Sequence, residues 1–279
     1  MTHVWTNGVL LEADSARISP FDHGILVGDG VFETVRVYAG KPFAWRRHLD
    51  RLAHSANGLG LAVPDRDELR AAADAVLRAN KLTEARLRIT VTGGIAPLGS
   101  ERGESPPTVI VAATDVRSPP ATTSVVVVPW ARNERSAVAG LKTISYAENV
   151  RALAYAHERG AGEAVFPNTR GDLCEATGSN VFLVRDNGVV TPPAESGCLL
   201  GVTRALVLEL CADLGIEFGE PALPISALGE ADEAFLTSTI REIQPISAVD
   251  AHDLPRAPGP VTLQLTEAFA ALVARDLDP

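Results

Sequence analysis

The sequence predicts an α+β chain of two domains, and three observations carry the prediction. Its first 113 residues run strands, then helices, then strands. A polar, Pro-rich stretch follows, Thr114-Asp115-Val116-Arg117-Ser118-Pro119-Pro120-Ala121. Beyond it, strands and helices change places without the regular alternation of a doubly wound sheet. The expected division is a small N-terminal domain over 1–113, a linker over 114–122 and a larger mixed domain over 123–279.

Val4 to Leu11 carries Asn7-Gly8 between apolar residues, a hairpin signal. Val31 to Tyr38 alternates apolar and polar residues and ends in Ala39-Gly40-Lys41-Pro42, so a strand should return through Phe43 and Ala44. Trp45 to Leu59 has helical spacing, with Leu49, Leu52, Ala53 and Ala56 on one face and glycines at its end. Asp67 to Asn80 predicts a second amphipathic helix, and Arg86 to Thr92 and Thr108 to Ala113 predict strands. In the second domain the expected strands are 125–128, 163–166, 180–184, 189–190 and 233–236. The expected helices are 147–159, 201–214 (stopped by Gly215) and 261–275.

Composition bounds the function classes. The 279 residues are 46% hydrophobic and 22% charged, as in a globular protein with a sizeable core. A formal net charge of −10 argues against a nucleic-acid or anionic-membrane surface. Three cysteines without metal-ligand spacing, and six dispersed histidines, point to neither a disulfide framework nor a metal site. The odd cysteine count without CxxC spacing fits a reducing cytoplasm, and the N-terminus has no basic region and no long apolar stretch. Gly24 to Gly30 lacks dinucleotide-binding spacing, Thr92 to Gly103 lacks a P-loop lysine, and no GxSxG is present.

Lys142 is the most informative residue. It sits in Gly140-Leu141-Lys142-Thr143-Ile144-Ser145-Tyr146, an alternation that suggests a lysine on a strand, pointing into a site. Glu175 follows in Leu173-Cys174-Glu175-Ala176-Thr177-Gly178-Ser179-Asn180-Val181-Phe182, just before a small-residue turn. An amine that can form a Schiff base and an acid that can keep a pyridine nitrogen protonated are what pyridoxal phosphate chemistry requires. A phosphate needs donors. Gly201-Val202-Thr203 opens a predicted helix, where free N–H groups and the macrodipole favour an anion. Thr237-Ser238-Thr239 and Arg51 are further candidates, Arg51 through its paired guanidinium donors. Each has a plainer reading as helix cap, turn or solvated face. Arg86, Arg88, Thr90 and Thr92 fall on one face of a strand, with Leu87, Ile89 and Val91 on the other. Two neighbouring arginines suit a substrate carboxylate, or simply a solvent face.

Six segments in this order resemble the class IV aminotransferases, the fold-type IV pyridoxal phosphate enzymes: Asp29 to Glu33, His48 to Leu52, Gly140 to Lys142, Glu175 to Phe182, Gly201 to Arg204 and Thr237 to Thr239. The resemblance implies a two-domain subunit with the cofactor between the domains, usually working as a homodimer. Lys142 resembles the Schiff-base lysine and Glu175 the pyridine-nitrogen partner. Arg51, Val202 (through its backbone), Thr203, Ser238 and Thr239 resemble the phosphate cradle. Tyr146 is matched to a tyrosine at the cofactor's phenolic oxygen, which relatives often carry one residue later. Asn180 joins the cofactor set. Phe32, Arg86 and Arg88 form the substrate set, since the Arg-x-His carboxylate trap of D-amino acid enzymes is replaced here by Leu98-Gly99-Ser100. Three functions follow as alternatives. The first is ping-pong transamination between a small amino acid or amine and a 2-oxo acid, with D/(R)-selectivity open. The second is the lyase that makes 4-aminobenzoate and pyruvate from 4-amino-4-deoxychorismate, which Glu148-Asn149-Val150 resembles. The third is a catalytically silent binding protein on the same scaffold, against which the retention of Lys142 and Glu175 argues.

Overall fold

The computed structural model describes residues 2–279. In chain order the elements are β1 (His3–Thr6), β2 (Val9–Glu12), α1 (His23–Leu26), β3 (Gly30–Tyr38), β4 (Lys41–Pro42), α2 (Trp45–Leu59), α3 (Arg66–Asn80), β5 (Ala85–Thr92) and β6 (Thr108–Asp115). There follow β7 (Thr123–Val127), α4 (Ala147–His157), β8 (Glu163–Pro167), β9 (Leu173–Ala176), β10 (Asn180–Arg185), β11 (Gly188–Val190) and α5 (Val202–Leu214). The last are β12 (Phe218–Gly219), β13 (Glu233–Ser238), β14 (Glu242–Val249), β15 (His252–Asp253) and α6 (Pro260–Arg275). The chain divides into two compact units. One comprises Met1–Arg117, Leu141–Tyr146 and Leu277–Pro279; the other comprises Ser118–Gly140 and Ala147–Asp276. The fold is α+β.

The first unit is a six-stranded sheet in the order β2-β1-β6-β5-β3-β4, antiparallel throughout. Period-two alternation sorts its side chains. Val31, Val35 and Val37 of β3 and Leu87, Ile89 and Val91 of β5 share a core with Leu49, Leu52 and Ala56 of α2 and Leu69, Ala73 and Val76 of α3. Burying each of these large aliphatic side chains is worth about 1.5–3 kcal/mol. Glu33 has the same parity as the three valines and therefore also enters the helix-covered face. Phe32, Thr34 and Arg36 point the other way, opposite Thr90, Arg88 and Arg86 of β5. The expected one-sided placement of Arg86 and Arg88 is thus observed. Asp65 caps α3 by accepting from the N–H groups of Asp67 and Glu68.

Two local expectations are corrected. The hairpin return is β4 at Lys41–Pro42, not Phe43 and Ala44; Ala44 instead adopts φ 50° and starts α2. Lys142 is not on a regular strand. Its segment forms one isolated bridge, Thr143 to Val31.

The second unit is a nine-stranded mixed sheet, β12-β11-β10-β13-β14-β7-β8-β9, with β15 on β14. The strand β14 is absent from the sequence expectation; Pro245 lies inside it, and a proline cannot donate to a ladder. The register resolves this. Residues 242–245 pair with β13, whereas pairing with β7 begins at Ile246 and is irregular before Ala248. Pro245 falls at the changeover. No helix among the described residues is long and apolar enough to cross a membrane.

Candidate functional site

In the first unit the open face of β3 and β5 gathers Phe32, Arg86, Arg88, Lys142 and Tyr146. The guanidinium of Arg88 lies over the Phe32 ring, 3.7 Å from its centroid, and Lys142 Nζ lies 4.4 Å from the same centroid. Tyr146 meets Phe32 edge-on at 5.1 Å and is 5.9 Å from Lys142 Nζ. Lys142 is held by its backbone on both sides: its N–H donates to Ser55 Oγ (3.0 Å) and its carbonyl accepts from the Phe32 N–H (3.1 Å). Arg88 also donates to Thr90 Oγ1, 3.1 Å away. Burial pushes its pKa below the usual arginine value, a shift that Tyr146 opposes. Arg86 is exposed two positions further along, opposite Arg36.

Arg51 belongs to a different cluster, on the helix-covered face. Its Nε and Nη2 donate to Glu33 Oε1 and Oε2 at 2.7 and 2.8 Å, and His48 Nδ1 meets Glu33 Oε2 at 2.7 Å. Residues 48 and 51 are one helical turn apart, so α2 presents both to a single carboxylate. Burial alone would raise the Glu33 pKa; the Arg51 charge and the hydrogen bonds of Arg51 and His48 outweigh it and hold Glu33 at about 2. Burial lowers the His48 pKa, and Glu33 only partly compensates. Arg51 is therefore not on a solvated helix face. Glu33 and His48 lie inside the resembling segments without an assigned role; a glutamate among buried-parity valines was the signal.

In the second unit the predicted residues meet around Leu199–Gly201. The Leu199 N–H donates to Glu175 Oε2 at 3.0 Å, and Asn180 Nδ2 donates to the Leu199 carbonyl at 2.7 Å. Gly201 is required here, because a Cβ on it would fall 2.2 Å from Asn180 Oδ1. Val202 and Thr203, both buried, form the first turn of α5, whose N-terminus no side chain caps. Asn180 pairs with Thr237, which brings the end of β13, with Ser238 and Thr239, to the same edge of β10. The hydroxyls of Ser179 and Thr237 are buried without a hydrogen-bond partner. Arg132, which the sequence did not single out, forms a 3.5 Å ion pair with Glu175 and lies over the Phe166 ring at 4.3 Å. It also bonds Glu148 and Asn149 at the start of α4. Nothing in its local sequence announces these partners, which arrive from β9 and α4. Among the described residues no cluster of three or more His, Cys, Asp or Glu side chains could hold a metal ion.

A family model described as amino-transferase class IV matches residues 30–249. The chain belongs to the class IV aminotransferases. This family is pyridoxal-phosphate-dependent. The chain is 34% identical to the putative branched-chain-amino-acid aminotransferase of Methanocaldococcus jannaschii, over 95% of this chain and 94% of that one. It is 30% identical to the D-alanine aminotransferase of Listeria monocytogenes (98% and 96%) and 31% identical to the aminodeoxychorismate lyase of Bacillus subtilis (88% and 86%). Among solved class IV structures, the branched-chain aminotransferase of Thermoproteus uzoniensis with norvaline matches at a TM-score of 0.92 and 31% identity, covering 98% of this chain and 94% of that one. The branched-chain aminotransferase of Escherichia coli matches at 0.92 and 30%, covering 97% and 94%. Another branched-chain aminotransferase, complexed with N-(5'-phosphopyridoxyl)-L-glutamate, matches at 0.91 and 30%, covering 98% and 94%.

Proposed function

We propose that the protein is a pyridoxal-phosphate-dependent transaminase that moves an amino group between a small amino acid or amine and a 2-oxo acid. The observation that carries this reading is the setting of Lys142. Its backbone is fixed by Ser55 and Phe32, and its amine shares the Phe32 ring with the Arg88 guanidinium. A fixed amine beside a fork of donors suits a substrate that carries an amino group and a carboxylate.

The residues present fit the cofactor. An uncapped helix start with a buried threonine in its first turn suits a phosphate ester. A carboxylate kept in place by a backbone N–H and an arginine suits a protonated ring nitrogen. Bound pyridoxal phosphate supplies an electron sink for the carbanion formed at the substrate Cα. Lys142 Nζ is the proposed attachment point; once substrate amine had freed it, it would take the proton from Cα and carry it to the cofactor carbon. Glu175 accepts the ring N–H, supported by Arg132, and Asn180 fixes the Leu199–Gly201 segment beside it. Thr203, Ser238, Thr239, the Val202 N–H and Arg51 serve the phosphate. Glu33 orients Arg51 by gripping two of its nitrogens. Tyr146 serves the phenolic oxygen. Phe32, Arg88 and Arg86 bind the substrate.

A panel of D- and L-amino acids, (R)-amines and aminodeoxychorismate, each with and without a 2-oxo acid acceptor, tests the reading. Amino transfer to the acceptor, together with visible cofactor absorbance that Lys142→Ala abolishes, is expected. Pyruvate release from aminodeoxychorismate without an acceptor would instead favour the lyase, which the Bacillus subtilis relative supports. Arg88→Ala should raise KM for carboxylate substrates about ten- to hundredfold, the worth of a hydrogen bond to a charged group, and leave KM for simple amines unchanged. An unchanged KM for carboxylates removes Arg88 from the substrate set. The working form is proposed to be a cytoplasmic homodimer, in line with three buried, unpaired cysteines and testable by light scattering. Residues 114–122 are proposed as the domain linker; limited proteolysis should cut first beyond Asp115, where β6 ends.

A further inference from the structure

Glu163 is a buried carboxylate that the proposed reaction does not use. It opens β8 and is 2% exposed. Its Oε1 accepts from the Thr177 hydroxyl and from the Ala164 N–H at 3.0 Å, and its Oε2 accepts from Arg241 Nη2 at 3.1 Å. Arg241 ends the three-residue hairpin loop between β13 and β14, just past Ser238 and Thr239. Its N–H donates to Ser238 Oγ at 3.2 Å, and its Nη1 donates to Gln244. The next residue, Glu242, has φ 55°, a conformation that a non-glycine residue keeps only where its surroundings impose it. On the other side, the Thr177 carbonyl accepts from Asn149, whose Oδ1 accepts from Arg132 beside Glu175. One polar chain therefore runs from Glu175 to Ser238 within a single unit.

We propose that Glu163 and Arg241 are positioning residues that tether the 238–241 turn so that Ser238 and Thr239 present their hydroxyls to the cofactor phosphate; this rests on the cofactor reading above. An ion pair with one partner buried is a weak way to gain stability, because desolvation of the buried carboxylate offsets the attraction. What such a pair can provide is a single register. With Ser238 Oγ already accepting from the Arg241 N–H, the Ser238 proton is left to be donated to a ligand. A phosphate ester has several acceptor oxygens and gains most from donors already in place.

The test compares equilibrium binding of pyridoxal phosphate and of phosphate-free pyridoxal to the cofactor-stripped protein. The proteins are wild type, Glu163→Gln, Arg241→Gln, Arg241→Lys and the double glutamine variant, with thermal unfolding measured alongside. Pyridoxal phosphate should bind about ten- to hundredfold more weakly to the glutamine variants, as is usual when a supporting residue behind a ligand is lost. Pyridoxal should bind as to wild type, Arg241→Lys should recover part of the loss, and the double variant should be no worse than the single ones. Equal weakening of both compounds, or none for pyridoxal phosphate, overturns the proposal. Wild-type protein that binds neither compound overturns the cofactor reading and this inference with it. The Arg241 side chain is partly exposed, so its variants carry the test even where Glu163→Gln does not fold.

Discussion

Two histidine–carboxylate–arginine clusters in the first unit use the same three groups and hold their protons oppositely. In one, His23 Nδ1 meets Asp29 Oδ2 at 3.0 Å, His23 Nε2 meets the Gly99 carbonyl at 2.9 Å, and Arg102 grips both Asp29 oxygens. In the other, Glu33 is shared by His48 and Arg51 beneath α2. The hydrogen bond to Asp29, helped by the one to Gly99, raises the His23 pKa despite burial. Burial lowers the His48 pKa, and the charges of Arg51 and Lys142 push the same way. Two differences decide the outcome. His23 has an acceptor at each ring nitrogen, which only the imidazolium can satisfy together. His48 competes for its carboxylate with a largely buried arginine and faces a second cation. The proton follows the local count of acceptors and cations, not the residue types.

The largest expected effect comes from removing the two carboxylates. Glu33→Gln leaves Arg51 buried against a neutral group, and breaking a buried pair of this kind costs about 3–5 kcal/mol. Asp29→Asn frees a partly exposed Arg102, a pair worth about 1 kcal/mol or less, and removes the charge that His23 bonds, worth about 1 kcal/mol more, so its loss is the smaller. Urea unfolding of both variants measures the difference. Equal losses would mean that depth does not separate the clusters.

Next in size is the acid limb of stability. Glu33 titrates at about 2 in the folded protein against an ordinary 4.5, so the unfolded chain binds its proton first. Its contribution is complete above pH 4.5 and is lost as pH falls toward 2, about 3 kcal/mol in all. His48, with a lowered pKa, adds to the same limb below pH 6.5, where the unfolded chain takes up a proton that the folded protein resists. Denaturant titrations between pH 6 and 3 should show stability falling throughout, and Glu33→Gln should flatten the lower part. A flat wild-type profile would show that Arg51 does not hold the Glu33 charge.

The same contrast explains what was legible in the sequence. Alternation in Val31 to Tyr38 and in Arg86 to Thr92 gave the two faces of the first sheet, because period two needs no distant information. The helices α2 and α3 were legible for the same reason. Glu33 was legible in principle: its parity buries it, and His48 and Arg51 share a helix face. Arg132 was not, since its partners Glu175 and Glu148 come from separate elements and a lone arginine beside Asn133 has no period to betray it. Strand β14 was hidden by Pro245, whose cost disappears only once the switch of partner strands at Ile246 is known. The Lys142 segment looked like a strand because its residues alternate, yet it finds only one bridge partner, at Val31.

The smallest effect separates the clusters by sign. A histidine with a raised pKa stabilises the fold fully below its unfolded value near 6.5, and that contribution disappears as pH rises through the folded value. The groups facing His23 are Asp29 and Arg102, with the Gly99 carbonyl closing the far side of the ring. Losing the proton leaves one ring nitrogen set against an acceptor, and the Gly99 contact is the weaker of the two. Alkaline pH should therefore loosen the 95–102 loop while leaving Glu33, His48 and Arg51 untouched. Amide exchange at Gly99 and Ser100, compared between pH 6 and pH 9, should quicken beyond the intrinsic change in wild type and show no such extra step in His23→Asn. Equal behaviour of the two proteins would mean that His23 carries no proton the loop depends on, and the two clusters would then differ in depth alone.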